Sequence, residues 1–344
     1  MQDIIERVKQ YQPFFDKWRL DDSPVVLGRG NSGTVFLIHD GDIDAALKVI
    51  SIPRDQEQLD KLNAEHPSPS AVSVLLDREY QYAVQEIQIM RRLKGLSNIV
   101  CFEDHKEYRR GDTFGWDILI RMERLIRLDG FLKNPGKYGY ARNLDMVLKI
   151  WTDLVTGLYY CEKNGILHLD IKPDNIFYTG PNKNLFKLGD FGVSIRSENG
   201  KGSVGMEVGT PAYMSPEIHF GRGGDVRSDL YSLALVVYEL LNGGHLPFMG
   251  ANPTGAQYEE AVERRFQRGQ EIPPIRSLDA RLSHILMRCL KQNPDERYQT
   301  MRELHGDLQQ YLNQRTRPRR RLPLPLILIG IAAIVIIVLA LLAR

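Results

Sequence analysis

The fold is decided by the stretch His168-Leu-Asp-Ile-Lys-Pro-Asp-Asn175 and by Asp190-Phe-Gly192, which follows it after a short interval. Transfer of a phosphoryl group to a hydroxyl requires a carboxylate that orients the hydroxyl and takes its proton, a lysine near the transferred group, and oxygen ligands for Mg²⁺. Asn and Asp offer the oxygen ligands that a hard cation prefers. Either string alone could be an ordinary loop, but their order and spacing indicate this chemistry. The residues that supply the required types are Asp170, Lys172, Asn175 and Asp190.

A glycine-rich stretch lies far upstream, Gly28-Arg-Gly-Asn-Ser-Gly33-Thr-Val35. Glycines let the backbone lie close over a polyphosphate without obstruction by side chains. In a dinucleotide-binding unit such a loop leads into a helix, whereas strand-like residues follow Gly33 at once and favour a flap between two strands. The signal is weak alone, because a plain glycine-rich hairpin has the same appearance.

Lys48 lies inside the apolar segment Ala45-Ala-Leu-Lys-Val-Ile50. A buried ammonium group is costly unless it is paired, so we expect nucleotide phosphates and a carboxylate beside it. A helical pattern from about Asp77 to Leu93 offers Glu79 and Glu86. We predict Glu86 as the partner, because it lies on a helix face that can turn toward the lysine, and Glu79 as a solvated charge.

The apolar pattern predicts an α+β chain, with a small β-rich lobe followed by a larger helical lobe. Strand-like text from Val25 to Ile50 predicts an antiparallel meander, and a polar excursion with room for a short helix follows over residues 51–78. An amphipathic helix is predicted over residues 4–18, bent or interrupted at Pro13. Packing of this helix on the following domain is favoured over binding to a partner or a membrane. The long helices predicted for the second lobe cover residues 143–163, 228–242, 279–291 and 300–313.

Together these motifs resemble those of the eukaryotic-type protein kinases, over roughly residues 23–312. Six signals follow the family's order: the glycine-rich loop, Lys48, a helix glutamate, the stretch from His168, Asp190-Phe-Gly, and Gly209-Thr-Pro-Ala-Tyr-Met-Ser-Pro-Glu217. The resemblance implies the two-lobed protein kinase fold, with an N-lobe over residues 23–123 and a C-lobe over residues 126–312. It also implies ATP and Mg²⁺ as cofactors, with Mn²⁺ as a substitute for Mg²⁺.

The resemblance further implies roles for individual residues. Thr210 would bond to Asp170 and Lys172, and these three residues would be catalytic. Asn175 and Asp190 would hold the metal. The residues implied to bind the nucleotide are Leu27, Gly28, Arg29, Gly30, Asn31, Ser32, Gly33, Thr34, Val35, Ala46, Lys48, Glu86, Met122, Glu123, Leu125, Asp129 and Phe177.

Within that set, Met122 resembles the gate of the adenine pocket, Glu123 to Leu125 resemble the hinge, and Asp129 resembles the ribose contact. Supporting residues match as well. Asp229 is similar to a buried aspartate that braces the catalytic loop, and Arg297 is similar to an arginine that pairs with the Ser-Pro-Glu glutamate, here Glu217. Val35, Ala46 and Phe177 would sandwich the adenine. The spine that joins the lobes would consist of Met90, His168 and Phe191.

The acceptor preference and one departure concern the same loop. Lys172 together with Gly-Thr-Pro-Ala-Tyr resembles the Ser/Thr pattern, whereas tyrosine-specific relatives tend to have an Ala-Ala-Arg arrangement. Where the family often has His-Arg-Asp, this chain has Leu169, and leucine cannot hold a phosphate as an arginine fork can. We therefore expect that phosphorylation of the loop, for instance at Ser194, Ser197 or Ser203, is not a strict on-switch.

The composition is that of a folded protein, with 43% apolar and 26% charged residues and a net charge of +2. Three cysteines, Cys101, Cys161 and Cys289, are far apart and form no Cys-x-x-Cys pair, so we expect reduced thiols in a cytosolic compartment. The N-terminus lacks the apolar region of a secretory signal. Arginines cluster just before an apolar tail, which makes nucleic acid an unfavoured partner.

That tail, residues 322–343, contains no charged residue and is long enough as a helix to cross a bilayer. We predict a single-pass membrane protein whose kinase domain is cytoplasmic, since arginines in the linker 313–321 favour the cytoplasmic side and can touch anionic lipid. Only Arg344 follows the span, so signals are expected to arrive from the cytosol, the bilayer or a neighbouring membrane protein. The arrangement resembles bacterial receptor-like Ser/Thr kinases, which would make the membrane a cell membrane.

The predicted activity is transfer of the ATP γ-phosphoryl group to Ser/Thr hydroxyls of proteins, including the chain itself. One alternative is a membrane-anchored pseudokinase that binds nucleotide and acts as a scaffold. Another is a small-molecule kinase, against which the Gly209–Glu217 motif, Asp229 and Arg297 favour a peptide platform. The oligomeric state is open, and a homodimer is compatible with the sequence.

Overall fold

The computed structural model describes residues 2–30, 32–66, 68–111, 115–196 and 209–316. The chain divides into two compact units, Met1–His305 and Gly306–Arg344. The predicted nucleotide contact Asn31, the loop serines Ser197 and Ser203, and the predicted membrane span lie outside the described residues.

The first lobe contains an antiparallel sheet, which confirms the predicted meander. Its five strands have the order β1-β2-β3-β5-β4. Alternate residues of β2 such as Phe36 and Ile38 are fully buried, which places one face of the sheet against a core. Gly33 adopts a φ of 128°, and a Cβ there would lie 2.4 Å from the carbonyl oxygen of Val49, so only glycine fits where the loop enters β2. The strands are β1 Val26–Gly30, β2 Gly33–Asp40, β3 Ile43–Ile52, β4 Phe102–Arg109 and β5 Trp116–Glu123.

The N-terminal helix is shorter than predicted. Helix α1 covers Gln2–Lys9, and the chain then turns through a cis peptide bond between Gln12 and Pro13. The segment continues as irregular structure that packs on the sheet, as the sequence favoured. The helix does not continue to residue 18, because the irregular chain after Lys9 already buries the aromatic residues. The residues of this cluster include Val8, Phe14, Trp18 and Leu20 from the segment, with Phe36, Leu47, Val49 and Leu119 from the sheet.

The polar excursion is more helical than predicted. Helix α2, Gln56–Glu65, is preceded by the N-cap residue Asp55, whose carboxylate accepts a hydrogen bond from the backbone amide of Gln58 at 2.9 Å. Helix α3, Pro69–Arg92, starts well before the predicted Asp77. A proline is tolerated in the first turn, and buried Val72 and Leu76 extend the apolar face toward the N-terminus.

The second lobe is mainly helical, as predicted. The four helices predicted for it are present with boundaries shifted by a few residues, and three further helices, Leu128–Lys133, Pro216–His219 and Gly255–Arg264, were not predicted. Helix α7 begins with a capping box in which Asp225 and Ser228 satisfy each other's backbone amides. The helices are α4 Leu128–Lys133, α5 Leu144–Lys163, α6 Pro216–His219, α7 Val226–Leu241, α8 Gly255–Arg264, α9 Ala280–Cys289 and α10 Met301–Thr316.

Two small sheets between these helices carry the stretches that contain the predicted catalytic and metal-binding residues. One has the order β6-β8-β9, and the other pairs β7 with β10. The stretch from His168 follows β7 and precedes β8, and Asp190 follows β9. The strands are β6 Ile126–Arg127, β7 Ile166–Leu167, β8 Ile176–Tyr178, β9 Phe186–Leu188 and β10 Ile195–Arg196.

The apolar tail and most of the basic linker are not among the described residues. Within residues 2–316, apart from the gaps named above, no helix is both long and apolar enough to cross a membrane.

Candidate active site

Lys48, on β3, lies at the centre of an ionic cluster with residues from α3 and from the turn that follows β9. Its Nζ is 2.6 Å from Oε1 of Glu86 and 2.8 Å from Oδ1 of Asp190. Lys48 and Glu86 are almost completely buried. The tip of the glycine-rich loop joins the cluster, because the Ser32 hydroxyl donates to Oδ2 of Asp190 at 2.8 Å. The structure therefore brings together four residues that the sequence assigned to nucleotide and metal.

The charges in this cluster stabilise one another. Burial opposes the positive charge of Lys48, but the carboxylates of Asp190 and Glu86 outweigh it and raise the lysine pKa. Burial likewise opposes ionisation of Asp190, but Lys48 and the Ser32 hydroxyl lower its pKa to about 2. Asp190 is therefore a carboxylate at any physiological pH, which is the form that can bind a cation.

Glu79, the alternative partner on α3, lies elsewhere. It is half-buried and accepts a hydrogen bond from the Gln58 side chain at 2.8 Å. Burial raises its pKa. The prediction of a purely solvated charge was therefore too simple, because α2 covers this part of α3.

A second group of polar side chains surrounds Asp170. The Thr210 hydroxyl donates to Oδ1 of Asp170 at 2.7 Å, and Lys172 donates to Oδ2 at 2.7 Å and to the Thr210 oxygen at 2.9 Å. Asn175 directs its amide nitrogen to the backbone and side-chain oxygens of Asp170, at 2.8 and 3.1 Å. The hydrogen bonds described for the Asn175 amide nitrogen both go to Asp170, and its carbonyl oxygen is the atom left for a cation.

Helix α7 holds the loop that precedes Asp170. The backbone amides of His168 and Leu169 donate to the two carboxylate oxygens of buried Asp229, at 2.8 and 2.7 Å. The His168 ring lies with its centre 4.8 Å from that of Phe191, so the predicted spine residues of this lobe are in contact. This bracing explains how Leu169 keeps a left-handed φ of 65°.

Leu169 makes apolar contacts at the position where the family often has an arginine. Its side chain is buried with Leu167, Met214 and Ile218. Ser194, one of the serines considered for phosphorylation, is only 4% exposed and donates from Oγ to the carbonyl of His168 at 3.1 Å. Ser194 is therefore inaccessible in this conformation and was a poor choice of modification site.

The residues predicted to bind adenine lie on β2, β3 and β8, at the end of β5 and in the segment that follows it. Ala46 is paired with Met122 across the strands, and Val35 with Lys48. The absence of a side chain at Gly189 lets the backbone there pack closely against Phe177, since a Cβ at this position would lie 2.9 Å from the Phe177 ring. Leu27 and Leu125 are partly exposed, and Thr34 is buried.

Asp129 and Arg29 are placed at the surface of the cleft. Asp129 is exposed in the first turn of α4, where Arg127 donates to it at 3.2 Å and also pairs with Asp174. Arg29 is exposed on β1, between Gly28 and Gly30. The described contacts of Asp129 are thus with a neighbouring arginine on the rim.

The predicted hinge contains a largely buried ion pair that the sequence analysis did not predict. Oε1 of Glu123 accepts hydrogen bonds from Nζ of Lys187 at 2.5 Å and from the backbone amide of Cys101 at 2.7 Å. Lys187 is 6% exposed and lies on β9, two residues before Gly189. The pair links the end of β5 to the strand that leads into Asp190. A lysine within an apolar strand was the signal used for Lys48, and it could have identified Lys187.

The Gly209–Glu217 segment is tied to the helical lobe by a buried ion pair. Arg297 donates through both terminal nitrogens to the two oxygens of Glu217, at 2.8 and 2.9 Å. Burial opposes ionisation of Glu217, but Arg297 and the Ser228 hydroxyl lower its pKa. This is the contact that the resemblance implied.

A comparison with protein families matches residues 23–308 to the protein kinase domain. The match covers both lobes and includes every residue of the cluster around Lys48 and of the group around Asp170. Residues 2–22, which include α1, precede it.

Several curated proteins resemble parts of the chain. Serine/threonine-protein kinase PknB of Mycobacterium tuberculosis is 35% identical over 167 residues, 47% of this chain and 25% of PknB. Serine/threonine-protein kinase PksC of Streptomyces coelicolor is 28% identical over 281 residues, 79% of this chain and 45% of PksC. Serine/threonine-protein kinase Pkn1 of Myxococcus xanthus is 33% identical over 181 residues, 50% of this chain and 25% of Pkn1. The chain spans between a quarter and less than half of the length of these relatives.

Proposed function

This chain belongs to the protein kinase family, and on that premise we propose that it is a Ser/Thr protein kinase that transfers the γ-phosphoryl group of ATP to hydroxyls of proteins. The observation that carries the proposal is the Asp170–Lys172–Thr210 triangle, with distances of 2.7 to 2.9 Å. A carboxylate held this way accepts a proton from an incoming hydroxyl, and the adjacent ammonium stabilises charge on the transferred group. The similarity to bacterial Ser/Thr kinases supports the same acceptor class.

The residues on both sides of the cleft fit ATP and Mg²⁺. Asn175 and Asp190 would hold the metal, because a carbonyl oxygen and an ionised carboxylate are the donors that Mg²⁺ prefers. Lys48, fixed by Glu86, would bind phosphate oxygens, and Ser32 lies where the glycine-rich loop meets Asp190. When bound, the metal supplies neutralisation of the phosphate charge. Mn²⁺ has similar ligand preferences and is expected to substitute.

The remaining nucleotide-binding residues are proposed from their positions around the cleft. Met122 and the hinge from Glu123 to Leu125 lie beside Ala46, and backbone groups there would pair with adenine. Val35, Ala46 and Phe177 would enclose the ring, and Asp129 would contact the ribose after exchanging its bond to Arg127.

The activity is tested by phosphate transfer from radiolabelled ATP with Mg²⁺. Full-length protein is incubated with protein acceptors, including itself, and with small hydroxyl metabolites. Wild type should label Ser or Thr of proteins, and Asp170→Asn should lose about 10²-fold or more of the rate, since it removes the proton acceptor but keeps the side-chain shape. Binding of a fluorescent ATP analogue to both proteins reports that the cleft is intact. Equal labelling by both would refute catalysis and leave a nucleotide-binding scaffold, whereas labelling of metabolites alone would refute a protein acceptor.

The proposal includes attachment to a membrane through residues 322–343, with the kinase domain on the cytoplasmic side. The support is the uncharged sequence of that tail and the arginines before it. Each lysine placed in the middle of a span costs about 2.5–3.5 kcal/mol of insertion. The double variant Ile334→Lys, Ile337→Lys should therefore move from carbonate-washed membranes to the soluble fraction, while Ile334→Leu, Ile337→Leu stays. Soluble wild type would overturn the attachment without affecting the kinase assignment.

Association with a second copy of the chain is part of the same proposal, as a means of phosphorylation between copies. Mixing a tagged Asp170→Asn chain with wild type should produce labelled Asp170→Asn protein in proportion to the wild-type concentration. No label on the inactive chain would exclude phosphorylation between copies.

A further inference from the structure

A second buried arginine lies beneath the Gly209–Glu217 segment. Arg265 follows the last residue of α8 and is 1% exposed. Its terminal nitrogens donate to the carbonyl of Pro211 at 2.9 Å and, with a longer bond, to that of Met214 at 3.4 Å. The guanidinium also lies 4.9 Å from the ring centre of Phe266. The side chain is therefore fixed between the segment and an aromatic ring.

Arg265 differs from Arg297 in what balances its charge. Arg297 forms two bonds to the Glu217 carboxylate. Among the residues that the structure describes, no carboxylate lies within ion-pair distance of Arg265, and its Nε has no acceptor. Burial of a charged group without a counterion is costly, and the hydrogen-bond acceptors described for Arg265 are the two backbone carbonyls of the segment. A methionine or leucine would fill such a space at lower cost if packing were the only requirement.

The two carbonyls belong to the turn that carries Thr210. The backbone amides of Tyr213 and Met214 both donate to the carbonyl of Thr210, at 2.9 and 3.1 Å. Thr210 in turn bonds through its side chain to Asp170 and Lys172. Arg265 thus bonds to the second and the last residue of a turn whose first residue, Thr210, touches the proposed catalytic carboxylate.

Arg265 is itself anchored from the other side. The Gln292 amide nitrogen lies within hydrogen-bond distance of three backbone carbonyls, those of Arg265, Gln267 and Gln270, at 3.1, 2.8 and 3.0 Å. These bonds fix the chain after α8 against the segment that follows α9. The position of the guanidinium is therefore set by the frame of the helical lobe.

We propose that Arg265 is a positioning residue for the protein acceptor, holding the Thr210–Met214 turn so that the acceptor hydroxyl meets Asp170. The inference rests on the proposed protein kinase function and names a residue of the peptide platform that lies outside the cleft. Lys48, Glu86 and the hinge contact α8 through none of their described hydrogen bonds or ion pairs, so the nucleotide side should be independent of Arg265.

The test separates acceptor binding from nucleotide binding. Arg265→Met keeps much of the side-chain volume but removes both bonds, and should raise the KM for a protein acceptor about tenfold while the KM for ATP stays within about twofold. Arg265→Lys keeps the charge and one bond, and should lie between Arg265→Met and wild type. The matched control is Arg264→Met, because Arg264 is the adjacent, exposed arginine.

A measurement that needs no activity accompanies the kinetics. Hydrogen exchange at the amides of Tyr213 and Met214 should be faster in Arg265→Met than in wild type, with unchanged exchange in β3. If Arg265→Met does not fold, Arg265→Lys carries both tests. An unchanged acceptor KM with unchanged exchange would overturn the inference alone, as would an equal rise of both KM values. Failure of wild type to phosphorylate any protein would instead overturn the proposed function.

Discussion

The hydroxyl of Ser32 donates to Oδ2 of Asp190 at 2.8 Å, while Oδ1 of the same carboxylate is 2.8 Å from Lys48. Both oxygens of the proposed metal ligand are therefore engaged by the protein, one by the glycine-rich loop and one by the lysine. A cation that binds Asp190 must compete with these bonds. The loop tip and the proposed metal would thus share one carboxylate.

Substitution of Ser32 should make the metal easier to bind. A hydrogen bond to a charged group contributes about 1.5–3 kcal/mol in a buried setting and less where water competes. In Ser32→Ala, the Mg²⁺ concentration for half-maximal activity should fall about threefold at saturating ATP. Titration of Mg²⁺ in the kinase assay measures it, with Ser23→Ala, an exposed serine of the same lobe, as the control. A higher Mg²⁺ requirement would mean that Ser32 helps to hold the metal complex.

The Lys48–Glu86 pair should be needed for nucleotide use. Glu86→Gln keeps the shape but leaves Lys48 with Asp190 as its one carboxylate, so we expect the lysine to be drawn away from the phosphates. kcat/KM for ATP should fall about 10- to 100-fold. The control is Glu79→Gln on the same helix, which should stay within about twofold because Glu79 contacts Gln58. Equal losses in both variants would indicate damage to α3 instead.

How far the sequence predicted this site depends on the kind of contact. Pairs such as Glu217–Arg297 are implied by motif order, since the family's motifs carry the partners along with them. Arg265 could not be found this way, because its partners are backbone carbonyls, which any residue supplies. Lys187 was recognisable in principle from its apolar strand, but its partner Glu123 had already been assigned to the hinge.

The same limit explains the errors in the fold. Residues 4–18 have helical spacing, yet beyond Lys9 the aromatic residues are buried through a turn at Pro13, so tertiary packing overrides the periodic signal. Conversely, α3 begins at Pro69, where the sequence looked like a polar excursion. Here the helix is favoured by the burial of Val72 through long-range contacts, and the pattern of a single sequence does not reveal such contacts.

The buried position of Leu169 leads to a prediction about the stability of a protein with arginine at this position. Restoring the common residue by Leu169→Arg places a guanidinium among Leu167, Met214 and Ile218, and should lower the free energy of unfolding by roughly 2–4 kcal/mol. Leu169→Met conserves volume and should cost less than about 1.5 kcal/mol. Urea denaturation of both variants measures the difference. A Leu169→Arg protein as stable as wild type would show that the site accepts charge.

Ser194 should matter for stability and little for catalysis. Its hydroxyl is buried and bonded to the His168 carbonyl, so Ser194→Ala should lower the free energy of unfolding by about 1 kcal/mol and retain most of the activity. Kinase assays and urea denaturation on the same preparation give both values. Loss of activity at full stability would mean that Ser194 acts as a regulatory switch, contrary to the expectation from Leu169.

The N-terminal segment should show a characteristic alkaline response through Tyr11. Its hydroxyl donates to buried Asp117 at 2.9 Å, and burial together with that carboxylate raises the pKa of Tyr11 to about 12. A raised pKa means that the folded state retains the proton longer, so the stabilisation is complete below about pH 10 and is lost as the pH rises to about 12. Wild type should exceed Tyr11→Phe in unfolding free energy by about 1 kcal/mol at pH 7, and the difference should close between pH 10 and 12.

Chemical denaturation of both proteins across this range measures the difference, and all other tyrosines are common to the two. Tyr108→Phe is the control, because Tyr108 stacks on Tyr11 with ring centres 4.0 Å apart and its removed hydroxyl is not the one on Asp117. The difference between wild type and Tyr108→Phe should therefore not close between pH 10 and 12. A constant gap for Tyr11→Phe over the same range would show that the Tyr11–Asp117 bond does not govern the alkaline response. The sign of the result is informative, because a gap that widened with pH would require the folded protein to release the Tyr11 proton first.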